Sequence, residues 1–125
     1  MPCSYTIYKD KRLVVTIASG VVTFAEGMAN EDSIRRNPDF EPTFVHLIDT
    51  VRITKADLTA SDLATLARST TFSPHSRKAV LVSSPVLYGL GRMFEAYSQL
   101  AGSESVHVFK DRFKALEWLG ITGEL

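Results

Sequence analysis

The sequence predicts an α/β fold in which a five-stranded mixed sheet is combined with four helices. Short runs rich in Val, Ile and Leu recur along the 125 residues and are typical of strands. Most segments between them start with helix-capping residues and carry apolar residues at helical spacing. The resulting order, ββαβαβαβα, favours a mostly parallel sheet. Because no linker or repeat divides the chain, residues 1–125 are expected to form a single domain.

The predicted strands are of two kinds. Residues 5–8 and 13–18 are rich in β-forming residues, and the polar segment between them suits a hairpin turn, so an antiparallel pair opens the chain. Residues 44–48 and 79–82 are apolar on both alternating faces apart from His46, which indicates strands covered on both sides. The central strand is expected to end at Asp49, and residues 50–57 are expected to form a loop.

The first two predicted helices begin with capping pairs. Thr23 and Glu26 have the spacing at which each side chain bonds the backbone amide of the other, which predicts a helix over 24–36. Thr59 and Asp62 repeat that spacing and predict a short second helix. The residues that give this second helix its apolar face are Leu63, Leu66 and Ala67.

A third helix containing two glycines is predicted after the fourth strand. Ser84 followed by Pro85 is an N-cap followed by the residue preferred at the first helical position, so the helix begins before Gly89 and Gly91. A dinucleotide-binding loop would need a third glycine where Phe94 stands, and the Gly-Lys-Ser or Gly-Lys-Thr of a phosphate loop is also absent.

The faces of this third helix follow from helical spacing. The predicted buried stripe consists of Val86, Leu90, Met93, Phe94, Tyr97, Leu100 and Ala101. The predicted exposed face consists of Tyr88, Arg92, Glu95 and Gln99. Gly89 and Gly91 flank the stripe, and each costs roughly 1 kcal/mol relative to alanine. Close approach of a neighbouring segment or of a ligand would favour them there.

The chain is predicted to end with a strand and a helix. Residues 105–109 form the strand, Asp111 caps the helix, and Gly120 closes it. The apolar face of this helix suggests that Trp118 is covered, either by the sheet of its own domain or by a partner.

Composition excludes several classes of partner. Fourteen basic and fourteen acidic residues cancel, so no excess charge favours nucleic acid. No apolar run is long enough for integral membrane association, and the N-terminus lacks the pattern of a signal peptide, so a cytoplasmic protein is expected. The single Cys3 fits a reducing compartment.

No catalytic or metal-binding motif stands out. The three histidines, His46, His75 and His107, are scattered and lack metal-ligand spacing, so neither a metal nor a cofactor is expected. His46 is interpreted as a core histidine satisfied by a hydrogen bond. A nucleophile elbow is also absent.

Polar residues meet at the predicted carboxyl edge of the sheet, where α/β folds bind ligands. Asp49 ends the central strand and Ser84 begins the third helix, whose free amides suit an anion. The alternative is that both side chains merely cap local backbone. The candidate ligand- or partner-binding residues are Asp49, Thr50, Arg52, Ser84, Tyr88 and Arg92.

The ending Val106-His107-Val108-Phe109-Lys110-Asp111-Arg112-Phe113-Lys114-Ala115-Leu116-Glu117-Trp118-Leu119-Gly120, with the element order and the aspartate after the third strand, resembles the SpoIIAA-like family of STAS/SEC14-type domains. This resemblance implies a five-strand, four-helix domain that is not known as an enzyme. STAS relatives bind a kinase partner and are switched at the serine of an Asp-x-Ser-Gly motif. Here Asp49 matches, but Val51 and Arg52 replace the serine and glycine, so the switch is not expected. SEC14 relatives hold lipids in an apolar cavity.

Three functions remain open from the sequence. The first is a non-enzymatic regulatory module that presents residues 50–57 and the helix start at Ser84 to a protein partner or a small anionic ligand. The second is a small-molecule or lipid carrier. The third is an enzyme using Asp49 with Arg92 or His75. A homodimer through the outer face of the third helix is compatible with each of them.

Overall fold

The elements follow the predicted order along the chain. A computed structural model describes residues 2–123 and 125. The strands within this part are β1 (Cys3–Tyr8), β2 (Leu13–Thr23), β3 (Val45–Asp57), β4 (Lys78–Leu81) and β5 (Val106–Phe109). The α-helices are α1 (Phe24–Arg36), α2 (Ala60–Ala67), α3 (Pro85–Leu100) and α4 (Arg112–Trp118). The strands lie in the order β1-β2-β3-β4-β5, with β1 antiparallel to β2 and the other neighbours parallel. The predicted α/β class with a five-stranded mixed sheet and four helices is confirmed.

The helices are divided between the two faces of the sheet. Because successive strand residues point to opposite faces, each central strand contributes to two cores. Leu13, Leu47 and Ala79 pack with Ala115 and Leu119, at the end of the chain, on the face covered by α4. The other face is covered by α1, α2 and α3, and its core contains Val14 and Ile34 in one cluster and Val80, Val82 and Leu87 in another.

The helices begin at the predicted caps, although in α1 the Glu26 carboxylate accepts from the Thr23 hydroxyl rather than from its backbone amide. An N-cap side chain that accepts a bond from the third helical amide satisfies a donor that the helix leaves free. The side chains that do so are Thr23, Thr59, Ser84 and Asp111. Asp62 also accepts from the Thr59 amide at 2.9 Å, which completes the predicted capping box of α2.

Strands β1, β2 and β3 are longer than predicted, and the predicted loop over 50–57 is wrong. β2 continues past Ala18 to Thr23, and residues 50–57 form the second half of β3, which pairs with this extension. The pairing register shifts twice, between Ile17 and Ser19 and between Gly20 and Val21, and the extra residue lies on β3 each time. These shifts break the two-residue alternation that identifies a strand, so only the backbone bonds to the partner strand reveal it.

α3 buries a different row of residues from the predicted stripe. The buried residues are Leu87, Gly91, Glu95 and Ser98. Val86 and Leu100, predicted as buried, are 73% and 85% exposed. Glu95, predicted as exposed, is buried and forms an ion pair with Arg92 at 3.5 Å. The apolar pattern misplaced the face because Gly91 packs directly on Val108 of β5, and a glycine carries little hydropathic signal.

The two glycines of α3 have different environments, and alanine substitution is expected to separate them. Gly89 is open, so Gly89→Ala should raise the free energy of unfolding by about 1 kcal/mol through helix propensity. A Cβ at Gly91 would lie 3.2 Å from both methyl carbons of Val108, so Gly91→Ala should gain clearly less or be destabilising. Urea unfolding of the two variants measures the difference. An equal gain at both positions would contradict the close packing of α3 on β5.

Candidate functional site

An apolar cavity of about 150 Å³ lies between the sheet and helices α1, α2 and α3. Each of these elements contributes part of its wall. The aliphatic and aromatic side chains nearest its helical side are Leu58, Leu63, Leu66, Leu87, Leu90 and Phe94. The second half of β3 adds Ile53 and Ala56, both half-buried. The strand extension therefore helps to build the cavity.

Two glycines keep helices close to their neighbours around the cavity. Gly27 of α1 lies against α2, where a Cβ would be 3.5 Å from Leu66 Cδ2. Gly91 of α3 packs on Val108 and also lines the cavity. The sequence suggested that either a neighbouring segment or a ligand comes close to Gly91. A neighbouring side chain does come close, and an unfilled space also lies beside this residue.

Four polar side chains line the same cavity, on the side formed by α1 and the first halves of β2 and β3. They are Thr16, Asn30, Glu31 and His46. Thr16 Oγ1 lies 2.8 Å from His46 Nε2 and accepts a bond from Asn30 Nδ2 at 3.2 Å. His46 is 1% exposed, and its Nδ1 atom has no hydrogen-bond partner among the residues that the structure describes. The predicted core histidine is thus satisfied at only one of its nitrogens.

Burial, together with the nearby charge of Lys78, keeps His46 neutral. Burial lowers the pKa of His46 well below 6.5, and the positive charge of Lys78 lowers it further. The Lys78 ammonium lies over the Phe72 and Phe94 rings, 5.1 and 5.7 Å from their centroids. Burial lowers the pKa of Lys78, which the Glu31 carboxylate partly opposes. His46 is therefore uncharged near neutral pH.

Cys3 lies at the border of the cavity in the edge strand β1. Burial raises the pKa of this thiol, and the negative charge of Glu26 raises it further. A thiol in such surroundings stays protonated and is a weak nucleophile.

Asp49 and Thr50 lie on opposite faces of the sheet. Asp49 Oδ2 accepts from Arg112 Nη1 at 3.1 Å, which ties it to α4, and Asp49 Oδ1 accepts from the Val51 amide at 3.0 Å. Thr50 lines the cavity, and its hydroxyl donates to the Leu81 carbonyl at 2.7 Å. Asp49 contacts α4 whereas Thr50 lines the cavity on the other face, so these two side chains do not form a common cleft.

The other predicted site residues have local partners. Ser84 caps α3 by accepting from the Leu87 amide at 3.2 Å. Lys110 Nζ lies 4.6 Å from the centre of the Tyr88 ring. Arg92 pairs with Glu95 within α3, and Arg52 is exposed on β3. Of the six candidate residues, the structure brings Thr50 alone to the cavity wall.

The groups proposed for an enzyme are not assembled either. Asp49 faces α4, whereas Arg92 belongs to α3 on the opposite side of the sheet. His75 precedes β4, while Asp49 is paired with Leu81 at the other end of that strand.

Sequence reasoning identified His46 but missed the polar residues that accompany it. Thr16 interrupts an otherwise apolar buried run in β2, and Glu31 is buried in α1 beside Asn30. A polar residue on an apolar face was the available signal in each case. In the pairing of β2 with β3, His46 lies opposite Val14 and Thr16 lies opposite Ile48. Thr16 and His46 are therefore diagonal neighbours across the two strands.

Across residues 2–123 and 125, no helix has both the length and the apolar character needed to cross a membrane.

Comparison with known proteins identifies the fold. No protein-family model matches the sequence, and no curated protein matches it either. A solved structure similar to this chain is that of an uncharacterized protein of the DUF3478 family with a SpoIIAA-like fold, from Shewanella loihica PV-4. The TM-score is 0.61 at 20% sequence identity, over 94% of this chain and 91% of that one. The chain has a SpoIIAA-like fold, as the sequence resemblance implied.

Proposed function

We propose that the protein is a binding module that holds a small, mainly apolar molecule between the sheet and helices α1, α2 and α3. The cavity of about 150 Å³ is the observation that carries this proposal. Protein interiors are normally close-packed. The space is partly open to solvent and its wall is mainly apolar, so an apolar molecule that enters it removes apolar surface from water.

The size and lining of the cavity define the ligand. An engineered cavity of about 150 Å³ lined by Leu, Ile and Phe binds benzene, and the wall here is made of the same residue types. The ligand expected is thus a single ring or a short branched chain. An acyl chain of a membrane lipid exceeds this volume, so the carrier function inferred from the sequence narrows to small molecules.

The charges of the wall disfavour an anion. Glu31 lines the cavity and is 9% exposed, and none of the described residues that line the cavity is a lysine or an arginine. Transferring an anion into apolar surroundings without a cationic partner is strongly unfavourable. The ligand of this cavity is therefore uncharged, in contrast to the small anion suggested by the sequence for the sheet edge.

A titration with benzene tests the proposal. In a methyl-labelled sample, the NMR signals of Leu63, Leu66 and Leu90 should shift in a saturable manner, because these residues line the cavity. The signals of Leu13 and Leu119, on the α4 face, should stay in place and serve as the internal control. Unchanged spectra at saturating benzene, or equal shifts on both faces, would contradict the proposal.

Docking of a protein at the carboxyl edge of the sheet is a second candidate function. The exposed apolar side chains near this edge are Val51, Val86 and Phe113, which are 43%, 73% and 73% exposed. Val51 follows the part of β3 that pairs with β4, and Val86 and Phe113 come after the ends of β4 and β5 in the chain. Exposed apolar side chains of this kind favour a partner surface, and a second copy of the chain is one such partner. A pull-down with Val86→Asp, compared with a variant that fills the cavity, separates this function from small-molecule binding.

A further inference from the structure

The strand β1 leaves one edge of the sheet open. It is the outermost strand, and among the described residues it pairs with β2 alone. A sheet edge of this kind presents backbone N–H and C=O groups to any strand that comes beside it. The strand at the other edge, β5, has four residues, whereas β1 has six in an unbroken register with β2. β1 therefore offers the longer edge.

The hydrogen bonds to β2 determine which backbone groups of β1 point outward. The Ser19 amide of β2 donates to the Pro2 carbonyl at 2.8 Å, so Pro2 faces β2. The direction of the backbone groups alternates along a strand of an antiparallel pair, and the register of β1 with β2 is continuous. The backbone groups of Cys3, Tyr5 and Ile7 consequently point away from β2.

The sequence of β1 lacks the usual protection of an edge strand. Natural sheet edges are blunted by charged side chains, by proline or by a bulge. The residues from Cys3 to Tyr8 include neither a charged residue nor a proline, and their pairing with β2 has no bulge. The side chains of Ser4 and Thr6 are exposed and uncharged. A further strand can therefore pair here without meeting a charge on β1.

A groove of about 290 Å³ lies between β1 and helix α1. Cys3 and Tyr5 form part of its wall on the strand side, and the small residues Ala29 and Ser33 form part of its wall on the helix side. Small side chains at these helix positions leave room for the side chains of an added strand.

We propose that β1 pairs antiparallel with β1 of a second copy of the chain, so that the two sheets of the dimer become continuous. With a twofold axis at Tyr5, this residue lies opposite its own counterpart, and Cys3 lies opposite Ile7 of the second copy. The outward-pointing residues of the two strands then face each other and form about six backbone hydrogen bonds. On the exposed face, Ser4 lies opposite Thr6 of the second copy, a favourable pair of hydroxyl groups.

A second copy is the partner because this edge is complementary to itself. The outward-pointing residues are symmetric about Tyr5, and no like charges meet across the axis. Twofold dimers with the same surface on both subunits are also the commonest oligomers. The inference goes beyond the proposed function, since it concerns the sheet edge rather than the interior of the cavity.

Two double variants that share one substitution test this pairing and its register. Ser4→Lys with Thr6→Lys places like charges opposite each other twice, by symmetry, whereas Ser4→Lys with Thr6→Glu places opposite charges there. Both positions are exposed, so the fold should tolerate either pair. Sedimentation equilibrium at about 0.15 M salt, which screens distant charges, measures the dissociation constant of the dimer. It should be at least about tenfold larger for the double lysine variant.

Amide exchange of the wild type provides a second measurement that depends on no variant. On raising the protein concentration to the millimolar range, exchange should slow at the amides of Cys3, Tyr5 and Ile7 and stay unchanged in β5 at the other edge. A wild type that remains monomeric, or unchanged exchange in β1, would overturn the inference. Equal dissociation constants for the two variants would also overturn it, because they would place the contact on another surface. None of these outcomes affects benzene binding in the cavity, so the two proposals fail independently.

Discussion

Replacing Gly27 with leucine is expected to weaken benzene binding by at least about tenfold, because the new side chain occupies the cavity. Gly27 lines the cavity, and a Cβ at this position would lie 3.5 and 3.6 Å from the two methyl carbons of Leu66, which is ordinary contact. Atoms beyond this Cβ extend into the space that Leu66 borders. A loss of 1.4 kcal/mol of binding free energy already corresponds to tenfold. Benzene titration followed by the methyl signals of Leu90 measures the effect.

Gly27→Ala is the matched control for this substitution. It adds the same Cβ without further atoms and should retain benzene binding. Because Gly27 lies inside α1, alanine should also stabilise the fold by up to about 1 kcal/mol through helix propensity. Equal benzene affinity in the leucine and alanine variants would show that the ligand lies elsewhere. Loss of binding in both would indicate that the spacing of α1 and α2, rather than the volume, controls entry.

The free energy of unfolding is expected to fall as the pH drops below about 6.5, with a contribution from His46 of up to about 1.4 kcal/mol per pH unit. In the unfolded chain His46 takes up a proton near its ordinary pKa of 6.5, whereas burial and the Lys78 charge hold the folded value well below that. The unfolded state therefore binds more protons in this range. Stability is complete above pH 6.5 and is lost as the pH falls towards the folded pKa.

The groups around His46 define how this pH dependence is measured. Lys78 of β4 adds a positive charge near the ring, while the Glu31 carboxylate of α1 lies on the same cavity wall. Denaturant unfolding between pH 5 and 7 is compared for the wild type, His46→Phe and His75→Gln. The slope should decrease in His46→Phe and persist in His75→Gln, since His75 is exposed in the segment before β4. The same slope in all three proteins would show that His46 does not titrate on unfolding in this range.

Local signals in the sequence were sufficient for the element order and the helix starts. Thr23, Thr59, Ser84 and Asp111 cap helices at the predicted positions because a cap depends on residues within one turn. The SpoIIAA-like fold could be anticipated because the ending 106–120, the order of elements and Asp49 resemble that family. A strand whose two-residue alternation was unbroken, or a helix whose apolar residues recurred every three and four positions, was predicted as the correct type of element.

The cavity could not be predicted, because it depends on distances between elements. Its wall includes the second half of β3, a strand that exists through its pairing with β2 despite an irregular pattern. Its helical side depends on the rotation of α3, where Gly91 allows close approach to Val108 and Val82 of the sheet side. Hydropathy identifies the apolar residues but does not predict which residues of a helix contact the sheet.

The sequence by itself determined the α/β class, the order of strands and helices, and the capped helix starts of this protein. The reason is that propensity, capping and turn chemistry act within a few residues. Only the tertiary structure decided which polar side chains meet. Asp49 and Thr50 are neighbours in the chain and yet lie on opposite faces, whereas Thr16, Asn30 and His46 come from three elements and form one hydrogen-bonded group. The physical reason is that strand pairing and helix packing, which act between distant segments, set the position of every side chain on the cavity wall.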